Sequence, residues 1–190
     1  MTHLKNILIV TGDAGESFET LYAKQRFIEA GYRPTVAAPS KKRLNLVIHD
    51  FEPGWDTYVE RPGYQVEADI SLEEVKPEEF QAILFVGGRA PEYLRNNPRV
   101  IDLARHFSND QEKYVFAICH GIQILVSAGL VENRNITCYE HVKFEVESCG
   151  GTYIAHQQAV VDGNMVTGQT WESHPEFYKA VFELLEKVPA

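Results

Sequence analysis

Asn6–Val10 (NILIV) and Ala82–Val86 (AILFV) are continuous apolar runs with no polar alternation. Each predicts a strand buried on both faces, as in a parallel sheet. Pro34–Ala38 and Tyr114–Ile118 predict two more strands. Thr152–Ile154 and Ala159–Val161 add short ones beside the turn signal Gly163-Asn164, and Met165–Gly168 reads as another strand end. Between these runs the period changes. Phe18, Leu21, Tyr22, Phe27 and Ile28 lie near one stripe of a helix over Phe18–Ala30, which Gly31 stops. Helices are also predicted over Pro98–Phe107, Gly121–Ala128 and Pro175–Glu186. Ser71-Leu72-Glu73-Glu74 fits a capping box before a brief helix. Lys41–Gly63 mixes His, Trp, Tyr, Pro and Gly with weak periodicity and reads as an excursion holding short strands.

Strands alternating with helices predict a parallel sheet covered on both faces and joined by right-handed crossovers. No repeat, low-complexity stretch or second domain is visible, so residues 1–190 are expected to form one domain. Working sites in such sheets lie at the carboxyl ends of the strands. That selects three segments: Thr11–Glu19, Gly87–Glu92 and Cys119–Gly121.

Composition narrows the function classes. The chain has 18 basic and 27 acidic residues, a net charge of −9. Nucleic-acid partners are not expected, since gripping phosphate requires basic patches. Three cysteines without CxxC spacing, and no secretory segment, predict reduced thiols and a cytoplasmic location. No apolar run is long enough to span a bilayer, so no membrane partner is expected.

Cys119 ends an apolar strand and is followed at once by His120, Gly121 and a helical pattern. Such a corner exposes its side chain beside unpaired helix N–H groups. Those groups favour a thiolate, which is the nucleophilic form, and can hold an oxyanion after attack on a carbonyl. The alternative is a small apolar cysteine filling the core, the reading given to Cys138 and Cys149. His120 is a base, an orienter of the thiol, or a histidine tucked under a loop. Glu19 opens the first helix, where acidic residues suit the dipole. A carboxyl near a thiolate can instead stay protonated and shuttle protons. Gly87-Gly88 can turn N–H groups inward as anion donors, or merely make a turn. Trp171, His174 and His49 are possible pocket residues, as are Asp50 and Tyr58. No metal set is seen: His141 and Glu145 have helical spacing but lack a third ligand.

Together, AICHGIQIL, GGRAPEYL and the acidic residue at Glu19 resemble the ThiJ/PfpI superfamily over nearly the whole chain. IHDFEPGWDTYVERPGY resembles a subgroup that contains plant glyoxalases and archaeal PfpI-type peptidases. The resemblance implies a flavodoxin-like three-layer α/β/α sandwich, like that of class I glutamine amidotransferases. It implies Cys119 as nucleophile and Glu19 as proton carrier. It implies that Glu92 orients His120, in some members across a subunit boundary. The N–H groups of Gly88 and His120 would form the oxyanion hole. A homo-oligomer, dimer to hexamer, without a cofactor follows from the same likeness.

Several activities fit these residues. A cofactor-independent glyoxalase or deglycase would attack a small aldehyde through Cys119. A peptidase or amidase would use Cys119, His120 and Glu92 as a triad. A glutaminase would use His174 of the His-Pro-Glu tripeptide. Against that, Ala117 stands where those enzymes carry glycine, and Ser173, Pro175 and Glu176 fit a capping box. A redox sensor or chaperone would exploit an oxidisable thiolate.

Overall fold

A computed structural model describes residues 5–186. In chain order the elements are β1 (Asn6–Val10), α1 (Ser17–Glu29), β2 (Arg33–Ala38), β3 (Arg43–Asp50), β4 (Val59–Glu67), β5 (Ile70–Ser71), β6 (Ala82–Phe85), α2 (Ala90–Leu94) and α3 (Pro98–Asn109). They continue as β7 (Tyr114–Ile118), α4 (Ile122–Ser127), β8 (Asn135–Ile136), α5 (Lys143–Ser148), β9 (Thr152–Tyr153), β10 (Ala159–Asp162), β11 (Met165–Gly168) and α6 (His174–Leu185).

The main sheet has the order β10-β11-β7-β6-β1-β2-β5. All its pairings are parallel except the β10–β11 hairpin at one edge, which turns at Gly163-Asn164. Alternate residues of the central strands feed two cores. Leu8, Val10, Ile83, Phe85, Val115 and Ala117 pack against α2, α3, α4 and α5. Ile7, Ile9, Leu84, Phe116 and Ile118 pack against α1 and α6. The apolar runs lack alternation for this reason: both faces are covered. The result is the expected flavodoxin-like three-layer sandwich.

Three features differ from the sequence expectations. Lys41–Gly63 is no loose excursion: β3 and β4 form a long antiparallel hairpin outside the main sheet, with a register shift between Asn45 and Val47. Its strand patterns are obscured because β4 carries charged residues, Pro62 and Gly63 on an exposed ribbon. Thr152–Tyr153 pairs with β8 in a separate two-stranded sheet. The helix after Cys119 is short: a 3-10 turn over Cys119–Gly121 precedes the six residues of α4. Among the described residues no helix is long and apolar enough to cross a membrane.

The corner at Cys119 constrains the core beneath it. A Cβ on Gly121 would overlap the Phe85 carbonyl of the neighbouring strand. We predict that Gly121→Ala lowers stability by about 1–3 kcal/mol, the usual cost of overpacking a core. Gly12→Ala, whose Cβ would meet nothing nearer than 3.8 Å, is the matched control. Equal urea midpoints for the two variants would contradict this account of the corner.

Candidate active site

Cys119 adopts φ 58°, a left-handed conformation rare outside glycine. The turn from β7 into the 3-10 segment requires it, and it aims the side chain back over the ends of the strands. The residue is only 6% exposed. Its Sγ lies 3.3 Å from Nδ1 of His120.

Glu19 reaches the same point from α1. Its side chain is fully buried, and Oε2 accepts the Gly87 N–H at 2.6 Å. A Cβ on Gly87 would stand 2.7 Å from both Glu19 Oε2 and Cys119 Cβ, so only glycine lets carboxyl and thiol close together there. Oε1 of Glu19 has no partner among the described residues. Burial, followed by the nearby Glu16 carboxyl, pushes the Glu19 pKa up to about 8. Glu16 lies outside the residues singled out from sequence. It is buried at the N-terminus of α1, and its Oε2 accepts the Glu19 N–H at 2.6 Å. Burial raises its pKa as well. Glu-x-x-Glu at a helix start was the signal available for it, since the first residue caps the third beyond.

The expectation that helix N–H groups make Cys119 a ready thiolate needs correction. Burial and the Glu19 and Glu16 carboxyls push the thiol well above its ordinary value, and among these influences only the His120 N–H favours the anion. A six-residue helix offers little dipole to oppose them. His120 gives no cationic help: burial, then the nearby His49, lowers its pKa to about 4. At neutral pH sulfur therefore faces a neutral imidazole and a protonated carboxyl.

The remaining candidates separate clearly. Gly88 has φ 77°, a Cβ there would overlap the Ala14 carbonyl, and its N–H makes no hydrogen bond among the described residues. Glu92 is exposed on α2 and makes no hydrogen bond to His120 within the chain. His49 is brought in by the β3–β4 hairpin. Its ring stacks on Tyr58 at 4.1 Å and lies edge-on to His120 at 6.2 Å. Trp171 donates its indole N–H to the His49 carbonyl at 3.0 Å and packs between Phe18 and Phe51, walling this side.

His174 does not join the site. It stacks on Tyr22 at 4.6 Å, under Phe18 and beside Tyr178, and neither ring nitrogen has a partner among the described residues. The imidazole against sulfur is His120, so the glutaminase arrangement is absent. Ser173 is not the expected capping box either; that box joins Thr170 and Ser173, and the Ser173 hydroxyl donates to Gln158. Cys138 is buried as expected, whereas Cys149 is exposed. His141 and Glu145 turn to other partners, Glu140 and Arg95, and among the described residues no three His, Cys, Asp or Glu side chains form a metal-ligand set. A cleft of about 710 Å³ is lined by Asp13, Lys42, Arg61 and Arg89 among others. Cys119 does not line it.

Comparison with known proteins adds to this geometry. The family model described as "DJ-1/PfpI family" matches residues 5–184. Protein DJ-1 homolog D of Arabidopsis thaliana is 38% identical over 187 residues, covering 95% of this chain and 48% of that protein. The chain thus spans about half the length of the plant relative. Deglycase PfpI of Pyrococcus furiosus is 34% identical over 163 residues, 86% of this chain and 89% of that one. The crystal structure of a ThiJ/PfpI domain protein from Brachyspira murdochii aligns with TM-score 0.81 at 27% identity, covering 97% and 98% of the two chains.

The unpaired, buried His174 generates a prediction. Burial lowers its pKa to about 4 against an ordinary value of 6.5. Between those values the unfolded chain binds a proton that the folded chain refuses, so this residue removes stability as pH falls. Since its surroundings are aromatic, His174→Phe should fold normally. Its stability relative to the wild type should grow from pH 7 to pH 4.5 in urea unfolding. A pH-independent difference would contradict the burial of a neutral imidazole.

Proposed function

This chain belongs to the DJ-1/PfpI family, and from that membership we propose that it is a cysteine-dependent glyoxalase or deglycase acting on methylglyoxal-type aldehydes. One observation carries the choice among activities. The acid–base group packed on Cys119 at neutral pH is a protonated carboxyl, Glu19, while His120 is held neutral by burial. A peptidase triad needs an imidazole that accepts the nucleophile's proton and is oriented by a third group. Here the imidazole is a weak base, and within the single chain its proposed orienter, Glu92, is exposed on α2 and does not reach it. A carboxyl that can both give and take a proton suits an isomerisation within the substrate. Relatives named deglycases support the same chemistry.

The reacting form is a Cys119–Glu19 pair holding one proton. Sulfur bonds to the aldehyde carbon while Glu19 gives its proton to the carbonyl oxygen, leaving a neutral hemithioacetal and a Glu19 carboxylate. Glu19 then takes the proton from the former aldehyde carbon and returns one to the neighbouring carbon. The hydroxyl proton on the former aldehyde carbon passes to the ketone oxygen, so the ketone becomes an alcohol and the sulfur-bearing carbon becomes a thioester. Water hydrolyses the thioester to lactate and frees the thiol. The Gly88 N–H, unpaired and beside the corner, is the proposed donor to the oxyanion, with the His120 N–H as its companion. No cofactor enters the sequence.

Lactate formation from methylglyoxal without glutathione should vanish in Cys119→Ala. In Glu19→Gln it should fall by about 10²–10⁴-fold, the usual worth of a positioned acid–base group. The doubly protonated pair predominates below the Glu19 pKa of about 8, so kcat/KM should rise with pH and level off above that value. Lactate production that survived Cys119→Ala would sink the reading. Cys119-dependent cleavage of peptide amides, with no action on the aldehyde, would replace it with the peptidase.

A further inference from the structure

The proposed reaction needs two proton-handling groups. Glu19 serves the transfer between carbons from its buried position under Gly87. Hydrolysis of the thioester needs a base for water, and His120 has one ring nitrogen against sulfur and little basicity.

His49 has a ring nitrogen free of sulfur and a carboxylate partner on the other. It stands on β3 directly across from Glu60 of β4, and its Nε2 lies 3.0 Å from Glu60 Oε2. Arg89 donates its Nε–H to both Glu60 oxygens at 3.0 Å. Hydrogen bonds from His49 and Arg89 hold the Glu60 pKa below its ordinary value despite partial burial. An ionised carboxylate can only accept, so Nε2 carries a hydrogen, and in the neutral ring Nδ1 keeps the lone pair. That Nδ1 is buried and has no partner among the described residues, in a side chain 4% exposed overall. Leaving it unpaired costs stability that a purely structural histidine would recover with a second hydrogen bond. The ring is fixed by the Tyr58 stack and by the indole bond to its own carbonyl. It faces His120, the imidazole that touches sulfur. A carboxylate that fixes the tautomer of an imidazole and stabilises its protonated form is the arrangement of a general base.

We propose that His49, oriented by Glu60, is the catalytic base that activates water for hydrolysis of the acyl-Cys119 thioester. This rests on the aldehyde reading above. Nδ1 takes a proton from water as its oxygen bonds to the thioester carbon. The C–S bond breaks, sulfur leaves with the bonding electron pair, and the imidazolium returns the proton to it. The net reaction is thioester plus water to lactic acid plus thiol. Glu60 and Arg89 act through His49 and are positioning residues.

The test separates formation of the acyl enzyme from its breakdown. Wild type, His49→Gln and Glu60→Gln are mixed with methylglyoxal, and thioester on Cys119 is measured by denaturing mass spectrometry after rapid quenching. Lactate is measured in parallel. In His49→Gln we expect lactate release to fall about 10²-fold or more, with the thioester accumulating towards one per chain. Glu60→Gln should show the same pattern, less strongly. Hydroxylamine attacks thioesters without a base and should restore turnover of His49→Gln, as the hydroxamate, to near the wild-type rate. A merely structural loss at His49 would not be rescued in this way. Unchanged lactate release in a folded His49→Gln overturns the proposal. So does a fall in thioester that matches the fall in lactate. If the wild type forms neither a Cys119 adduct nor lactate, the aldehyde reading fails and the role of His49 falls with it. An adduct in the wild type with normal hydrolysis in His49→Gln overturns the His49 role alone.

Discussion

The burial of the Glu19 carboxyl is the constraint on which the rest of the site depends. An ionised carboxylate without solvent and with one N–H donor is strongly disfavoured, so the group stays protonated up to about pH 8. Its position joins three strand ends. α1 carries the carboxyl, the segment after β6 supplies Gly87, and the turn after β7 supplies Cys119. A side chain at residue 87 would drive these apart, and a larger residue at 121 would push the turn off β6. Glu16 adds a second buried carboxyl whose acceptor oxygen ties down the Glu19 N–H. Its charge opposes ionisation of both Glu19 and Cys119, so the pocket itself sets how many protons the pair holds.

The central sheet was legible because strands covered on both faces cannot afford polar positions. NILIV and AILFV have no other reading compatible with their length, and the three strand ends chosen from them do converge. The hairpin β3–β4 was not legible. β3 does alternate and buries Leu44 and Leu46, but the register shift before Val47 breaks the period, and β4 is largely exposed and interrupted by Pro62 and Gly63. Boundaries slipped where capping chemistry competes. Ser173 looked like a helix cap, but its hydroxyl bonds Gln158 while Thr170 caps the turn before it. Cys119 and Glu19 could be paired from topology and family resemblance. Their protonation could not, because it follows from burial, and sequence reports burial poorly at loop corners. The thiolate expected from helix geometry gives way to a neutral pair for that reason.

The two sides of the sulfur are built by different parts of the chain. The Cys119–Glu19 pair belongs to the main sheet and is held by parallel strands and two glycines. His49, Tyr58 and Phe51 belong to the hairpin and its tip, which is anchored through the Glu16–Val47 bridge and the Ala14–Asn45 hydrogen bond. Trp171 closes over the junction from the 3-10 turn before α6, bonding the hairpin backbone rather than a side chain. The two parts meet at Glu16, which the His49 N–H and the Asp50 carboxyl of the hairpin influence and which in turn acts on Glu19 and Cys119. In the proposed reaction, the sheet side would capture the aldehyde and the hairpin side would act on the release of the acid. Resemblance to a family then transfers unevenly: it carries the thiol and its carboxyl most securely. The hairpin side must be read from this chain's own residues.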